Sequence, residues 1–250
     1  FLFRHIFREI VLEYINKEKP YLVVPIDFYG FNIHLARAAK ERKIPVIYYI
    51  SPQVWASRPG RVKKLSRYVT KMLVILPFEE EIYRDAEVDT VFVGHPLLDV
   101  IPANPAPSSS LACPAPNSVR GEPRPCHIGL LPGSRKAIIA RHLPLLIEIA
   151  QKIKTKFPES QFFLPWTRNV PQGYLAELLK KSPTNISLVY DEDYQLRQKL
   201  SFAIACSGTA TLENALLGIP TIIIYKTTWF FYFLARSLVK LPYIGLVNIL

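Results

Sequence analysis

The feature that most constrains this chain is a recurrence of short, uninterrupted apolar runs with amphipathic segments between them. YLVVPI, PVIYYI, MLVILP and TVFVG alternate with FNIHLARAAKERK, RVKKLSRYV and FEEEIYRDA. Runs that are apolar at every position suit strands buried on both faces, and amphipathic helices supply the cover, so the pattern predicts a parallel sheet between helices. From residue 126 the alternation resumes. HIGLLP, QFFLPW, ISLVY, FAIACS and PTIIIY read as strands, and RHLPLLIEIAQKIKTKF, YLAELLKK, YQLRQKL and TATLENALLG as helices. Residues 102–125 are rich in Pro, Ser and Ala, follow neither hydrophobic period and read as a linker. The expected fold is α/β: two Rossmann-like parallel-sheet domains, residues 1–101 and 126–250, joined by that linker.

A chain of 250 residues, 50% of them hydrophobic, can bury a core for each domain. Lys and Arg outnumber Asp and Glu by 31 to 20, a net charge of +11, which suits a polyanionic partner: nucleic acid, an acidic membrane surface or a phosphorylated substrate. Nucleic acid is disfavoured, because no aromatic platform or recognised module accompanies the basic residues. Cys113, Cys126 and Cys206 follow no metal-ligand or redox spacing, so reduced thiols in a cytoplasmic protein, with no metal, are expected. The apolar stretch WFFYFLARSLVKLPYIGLVNIL is interrupted by Arg236 and Lys240, which argues for a segment lying on a membrane surface rather than one crossing it.

In open parallel sheets, ligands gather beyond the carboxyl ends of the strands. In LLPGSR, Gly133 permits a tight turn, and Ser134 and Arg135 open a helix whose N–H groups favour an anion, so a phosphate or diphosphate would fit. The alternative is a plain strand-to-helix turn with Ser134 as N-cap. In ACSGTATLENALLGIP, Ser207, Gly208 and Thr209 form a second such loop before a helix that closes on Gly218. Glu213, about one turn into that helix, is placed to accept from both hydroxyls of a ribose; a surface Glu near a helix start is the other reading. With no Gly-x-x-x-x-Gly-Lys-Ser/Thr loop and no Gly-x-Gly-x-x-Gly after a strand, a nucleotide-sugar site is the better candidate.

In the first domain, Asp27 ends an apolar run, directly before Gly30 and a helix that Asn32 can cap. It is a candidate general base or a turn residue. ISPQVWASRPGRVKKLSR sets Ser51, Gln53 and Trp55 beside Arg58, Arg61, Lys63, Lys64 and Arg67, a surface for phosphate or anionic lipid. His95, beside Pro96, reads as a structural hydrogen-bonding group rather than a catalyst.

IDFYGFN, SPQVWASR, LPFEEEIY, FVGHPLLD, LLPGSR, SGTATLE and LVNIL together resemble the lipid-A-disaccharide synthase family of GT-B glycosyltransferases, in the family's order over nearly the whole chain. The resemblance implies two domains facing a cleft. It further implies transfer of 2,3-diacylglucosamine from its UDP derivative to the 6-hydroxyl of 2,3-diacylglucosamine 1-phosphate (lipid X), with inversion, without metal or cofactor, and with UDP leaving. Asp27 matches the family's essential acidic residue, Arg135 its essential arginine, and Glu213 and Asn248 positions at its nucleotide site. The family also implies an enzyme peripheral on the cytoplasmic face of the Gram-negative inner membrane, and a homodimer for the full-length parent. Ser57 stands where the family usually has a second tryptophan, Ile138 where it usually has a glutamate, and Tyr29 where it usually has proline. Family members begin with a strand and a glycine loop before the position of Phe1 and continue past that of Asn248, so the chain is expected to be incomplete at both ends. Two alternatives stand beside this reading. One is another UDP-sugar GT-B enzyme, such as a polyprenyl-linked acceptor transferase or an epimerase; the other is a non-catalytic nucleotide- or lipid-binding remnant.

Overall fold

The computed structural model describes residues 6–57, 59–102 and 125–227. These form two compact units, the first ending at Pro96 and the second beginning at Leu97.

In the first unit a π-helical stretch, Ile6–Leu12, leads into helix α1 (Glu13–Glu18), followed by α2 (Tyr29–Glu41), β1 (Ile47–Tyr49), α3 (Val54–Ser57), α4 (Val62–Leu65), β2 (Lys71–Val74), α5 (Glu79–Arg84) and β3 (Asp89–Phe92). The strands pair in parallel in the order β1-β2-β3. Ala36 and Ala39 of α2, Tyr48 of β1, Met72 and Val74 of β2 and Tyr83 of α5 share one buried cluster. Small residues on α2 let that helix approach the sheet closely.

The run YLVVPI, expected as a strand, is reduced to isolated parallel bridges, Val23 with Val46 and Ile26 with Tyr49. Its hydrogen bonds keep a parallel rhythm, with Val23 N donating to Pro45 O and Asp27 N to Tyr49 O. Pro25, between them, has no N–H to contribute, so the ladder is interrupted.

The second unit holds α6 (Leu97–Val100), β4 (His127–Leu131), α7 (Lys136–Lys156), β5 (Gln161–Trp166), α8 (Gln172–Leu179), β6 (Ile186–Tyr190), β7 (Phe202–Cys206), α9 (Thr209–Leu216) and β8 (Thr221–Ile224). All five strands are parallel, in the order β6-β5-β4-β7-β8. Both faces are covered. Ile128 and Leu130 of β4 face Ile139, Leu143 and Leu146 of α7 and Leu175 of α8, whereas Leu131, Ala203 and Ala205 face Leu200, Leu217 and Ile219. The sheet order reverses between β4 and β7, and the crevice at such a switch point is where α/β sheets bind ligands.

YQLRQKL, expected as a helix, forms only the short 3-10 turn Arg197–Lys199. Tyr194 has φ of +62°, which breaks a helix at its start, and Asp191 Oδ1 takes the Leu196 N–H at 2.7 Å. The expected closure of α9 on Gly218 is present: Gly218 has φ of +68°, its N–H reaches Ala215 O, and Ile219 N reaches Asn214 O. Cys206 is free and buried, but Cys126 is disulfide-bonded, correcting the expectation of reduced thiols throughout. Pairing depends on proximity in space, which spacing in the sequence does not report.

Candidate functional site

The switch point of the second unit brings together the loops that hold Gly133, Ser134 and Arg135 and Ser207, Gly208 and Thr209, part of the set expected to hold a nucleotide sugar. Leu131 pairs with Ala205 in the β4–β7 ladder, so the loops that follow leave the sheet side by side. Gly133 has φ of +109°, and a Cβ there would lie 2.8 Å from Ile138 Cγ2 and 3.0 Å from Cys206 Sγ. Both the left-handed backbone and the packing of α7 against β7 therefore require glycine. Ile138, where the resembling family has glutamate, serves as packing against this turn.

Arg135 is the N-cap of α7, with φ of −112° and ψ of 137°, and no side chain caps the helix. Ser134 is thus not the N-cap; Arg135 O accepts the N–H groups of Ile138 and Ile139 at 2.9 Å. Ser134 and Arg135 are exposed. Beyond β7, Gly208 is the N-cap of α9, again without a side-chain cap, and Gly208 O accepts from Thr211 Oγ1 at 2.8 Å. Ser207 is half-buried and Thr209 exposed. Two helix starts uncapped by side chains, with a guanidinium at one, form a favourable setting for a diphosphate.

Glu213, on α9, is engaged. Its Oε2 accepts from Nη1 of Arg197, and Arg197 Nε lies 3.5 Å from Asp191 Oδ2. Burial pushes the Asp191 carboxyl above the usual range, against the Leu196 N–H and the Arg197 charge, which favour the ionised form. Asp191 also lines an open pocket of about 460 Å³ with Arg168, Tyr190, Glu192, Gln195 and Lys199 at the carboxyl ends of β5 and β6. Arg168 Nε donates to the Tyr190 hydroxyl at 2.9 Å. The sequence rule that selected Ser134 and Ser207, residues just past a strand, also selects Asp191 after ISLVY. Arg197 carries no such signal.

In the first unit Asp27 is exposed and has φ of +48°, and Phe28 follows with φ of +26°. Three hydrogen bonds hold this unfavourable backbone. Asp27 N donates to Tyr49 O at 3.0 Å, and Asp27 O accepts from Asn32 Nδ2 at 2.8 Å and from the Tyr48 hydroxyl. Asn32 therefore does not cap α2, whose N-cap is Phe28; it reaches back to the carbonyls of Ile26 and Asp27. Tyr48 is fully buried, and burial drives its phenol well above the ordinary range, so it stays a neutral donor.

Ser51 is buried and Gln53 exposed. Trp55 Nε1 donates to Glu79 Oε1 at 3.0 Å, while Glu79 Oε2 accepts from Leu76 N at 3.3 Å. Glu79 is 1% exposed, and burial raises its carboxyl above the ordinary range although the Trp55 indole favours the charge. This buried glutamate ties the SPQVW loop to α5. Arg61 stacks on the Tyr29 ring at 4.1 Å, which gives the tyrosine in place of proline a partner and brings Arg61 beside the Asp27 turn. Lys63, Lys64 and Arg67 are exposed, and burial lowers the imidazole pKa of half-buried His95. Arg58, Arg236, Lys240 and Asn248 lie outside the described residues.

The model of the family described as lipid-A-disaccharide synthetase matches residues 2–250. The chain belongs to this family. It is 43% identical over 232 residues to the lipid-A-disaccharide synthase of Syntrophus aciditrophicus, covering 92% of this chain and 59% of that protein. It is 40% identical over 230 residues to that of Geobacter sulfurreducens, again 92% of this chain and 59% of that one. The chain thus spans about three fifths of the length of the curated relatives it matches. Among solved structures, the UDP-GlcNAc 2-epimerase of Neisseria meningitidis, bound to UDP-GlcNAc, superposes with a TM-score of 0.54 at 16% identity, over 96% of this chain and 69% of that one. That likeness is one of fold: the parallel-sheet α/β, GT-B class expected from the alternation of strands and helices. Among the described residues no helix is long and apolar enough to cross a membrane.

Proposed function

We propose that this chain supplies the paired domains of a lipid-A-disaccharide synthase, with residues 1–101 on the acceptor side, 126–250 on the UDP-sugar side and 102–125 between. The reaction is transfer of 2,3-diacylglucosamine from UDP-2,3-diacylglucosamine to the 6-hydroxyl of lipid X, giving the β-1,6-linked disaccharide 1-phosphate and UDP. The observation that carries the reading is the pair of loops, Gly133–Arg135 and Ser207–Thr209, side by side at the β4–β7 switch point with Glu213 just beyond. Arg135 and the two helix starts stabilise the charge that grows on the departing diphosphate. Glu213 takes the ribose hydroxyls, Asn248 adds to the nucleotide site, and the pocket at Arg168 and Tyr190 receives the base. The Neisseria epimerase, bound to UDP-GlcNAc on the same fold, supports a UDP-sugar ligand.

Asp27 takes the proton of the acceptor hydroxyl as the new bond forms and the bond to UDP breaks at the anomeric carbon, which inverts. Its strained turn, held through the Asp27 backbone N–H and carbonyl, fixes the point from which that carboxylate projects. Ser51, Gln53, Trp55, Arg58 and Arg61 border the acceptor phosphate, and Arg236 and Lys240 meet an anionic inner-membrane surface from the cytoplasmic side. The full-length parent is proposed to act as a homodimer. An epimerase reading has only fold likeness behind it, at 16% identity.

The test is a radiolabelled transfer assay with the UDP-diacylglucosamine donor and lipid X, run with the chain, with a version extended at both ends, and with Arg135→Ala in each. Disaccharide formed and lost in Arg135→Ala supports the synthase. Product from neither version overturns it.

A further inference from the structure

Glu213 reaches its position through a buried ion-pair chain. The Arg197 side chain that binds it is 9% exposed, Glu213 is 15% exposed, and Asp191 on the far side of the guanidinium is 1% exposed. The Tyr194 ring lies 5.2 Å from Arg197 Cζ. Asp191 follows β6, Arg197 sits in the 3-10 turn, and Glu213 is on α9, so three segments separate in sequence converge on one cation.

Desolvating a guanidinium and two carboxylates costs more than packing apolar side chains of the same volume, so stability alone is a poor account of this chain. A planar guanidinium instead confers direction. Glutamate has three side-chain torsions, and a carboxylate that must accept from two vicinal hydroxyls needs its plane fixed before the ligand arrives. We propose that Arg197, itself held by Asp191, is a positioning residue that orients the Glu213 carboxylate toward the ribose hydroxyls of the uridine nucleotide. This rests on the reading of Glu213 as the ribose acceptor given above.

The test is calorimetric titration of the full chain with UDP and with 2′-deoxy-UDP, a ligand pair differing by one of the two hydroxyls in question. The unaltered chain prefers UDP by roughly tenfold or more, the usual worth of a hydrogen bond to a charged group. Arg197→Met and Glu213→Gln each cut that preference to about threefold or less, and combining them causes little further loss, because both act on one interaction. Arg197→Lys, a point charge without the fork, restores part of it. If Arg197→Met weakens both ligands equally and keeps the preference, while Glu213→Gln abolishes it, the inference is overturned and the ribose reading stands. If Glu213→Gln also keeps the preference, the ribose reading falls and the inference with it. Should Arg197→Met not fold, Asp191→Asn releases the guanidinium from the other side; an unchanged preference in that variant overturns the proposal.

Discussion

The two candidate loops that carry charge, around Asp27 and around Arg135, solve the same problem by different means. Each follows an apolar run and turns the chain into a helix. In the second unit Gly133 takes the left-handed conformation, at φ of +109°, and leaves Arg135 in ordinary extended backbone. In the first unit the residues themselves take it: Asp27 at +48°, Phe28 at +26° and, at the end of β1, Ile50 at +59°. Positive φ is uncommon for aspartate and a marked departure for phenylalanine or a β-branched residue, so this region is held by its surroundings. The Arg135 turn is built into local sequence. The Asp27 turn depends on Tyr48, Asn32 and Tyr49 reaching it from elsewhere.

That contrast is open to test. The largest effect is expected from Asp27→Asn. Asparagine tolerates positive φ, so thermal unfolding should be nearly unchanged while kcat falls about 10²–10⁴-fold as the proposed base is removed. A comparable loss of stability would make Asp27 a structural residue instead. Next comes Gly133→Ala, whose Cβ meets Ile138 Cγ2 at 2.8 Å in a left-handed backbone. About 2–3 kcal/mol of destabilisation in urea is expected, and a loss below about 0.5 kcal/mol would show that α7 simply shifts away.

Tyr48→Phe removes one of the bonds to the Asp27 carbonyl and should cost about 1 kcal/mol, with a further fall in kcat beyond what unfolding explains. Equal kcat would mean the other hydrogen bonds hold the turn unaided. The smallest effect concerns pH. The Glu79 carboxyl is raised by burial, so its favourable contribution is complete below the ordinary glutamate range and is lost as pH rises through the raised value. The stability of the unaltered protein relative to Glu79→Gln should therefore decline over that interval and then level off. A difference that grows with pH would mean that the Trp55 indole and the Leu76 N–H outweigh burial.

What the sequence by itself determined is the alternation of strands and helices, the class of fold, and the loops beyond β4 and β7. These follow from local causes: uninterrupted apolar runs, glycines where the backbone must turn, and Gly218 closing α9. QFFLPW and ISLVY coincide with β5 and β6 residue for residue, each a short run rich in aromatic and branched apolar residues that ends where a turn or loop begins. The tertiary structure decided the rest. Pro25 removed one ladder hydrogen bond and left YLVVPI as bridges, Tyr194 and the Asp191 carboxylate turned YQLRQKL away from a helix, and Asn32 turned back to the carbonyls of Ile26 and Asp27. Arg197 was invisible because its partners Asp191 and Glu213 lie 6 and 16 residues away along the chain. A charged side chain's worth is set by what surrounds it after folding, and neither composition nor periodicity reports that.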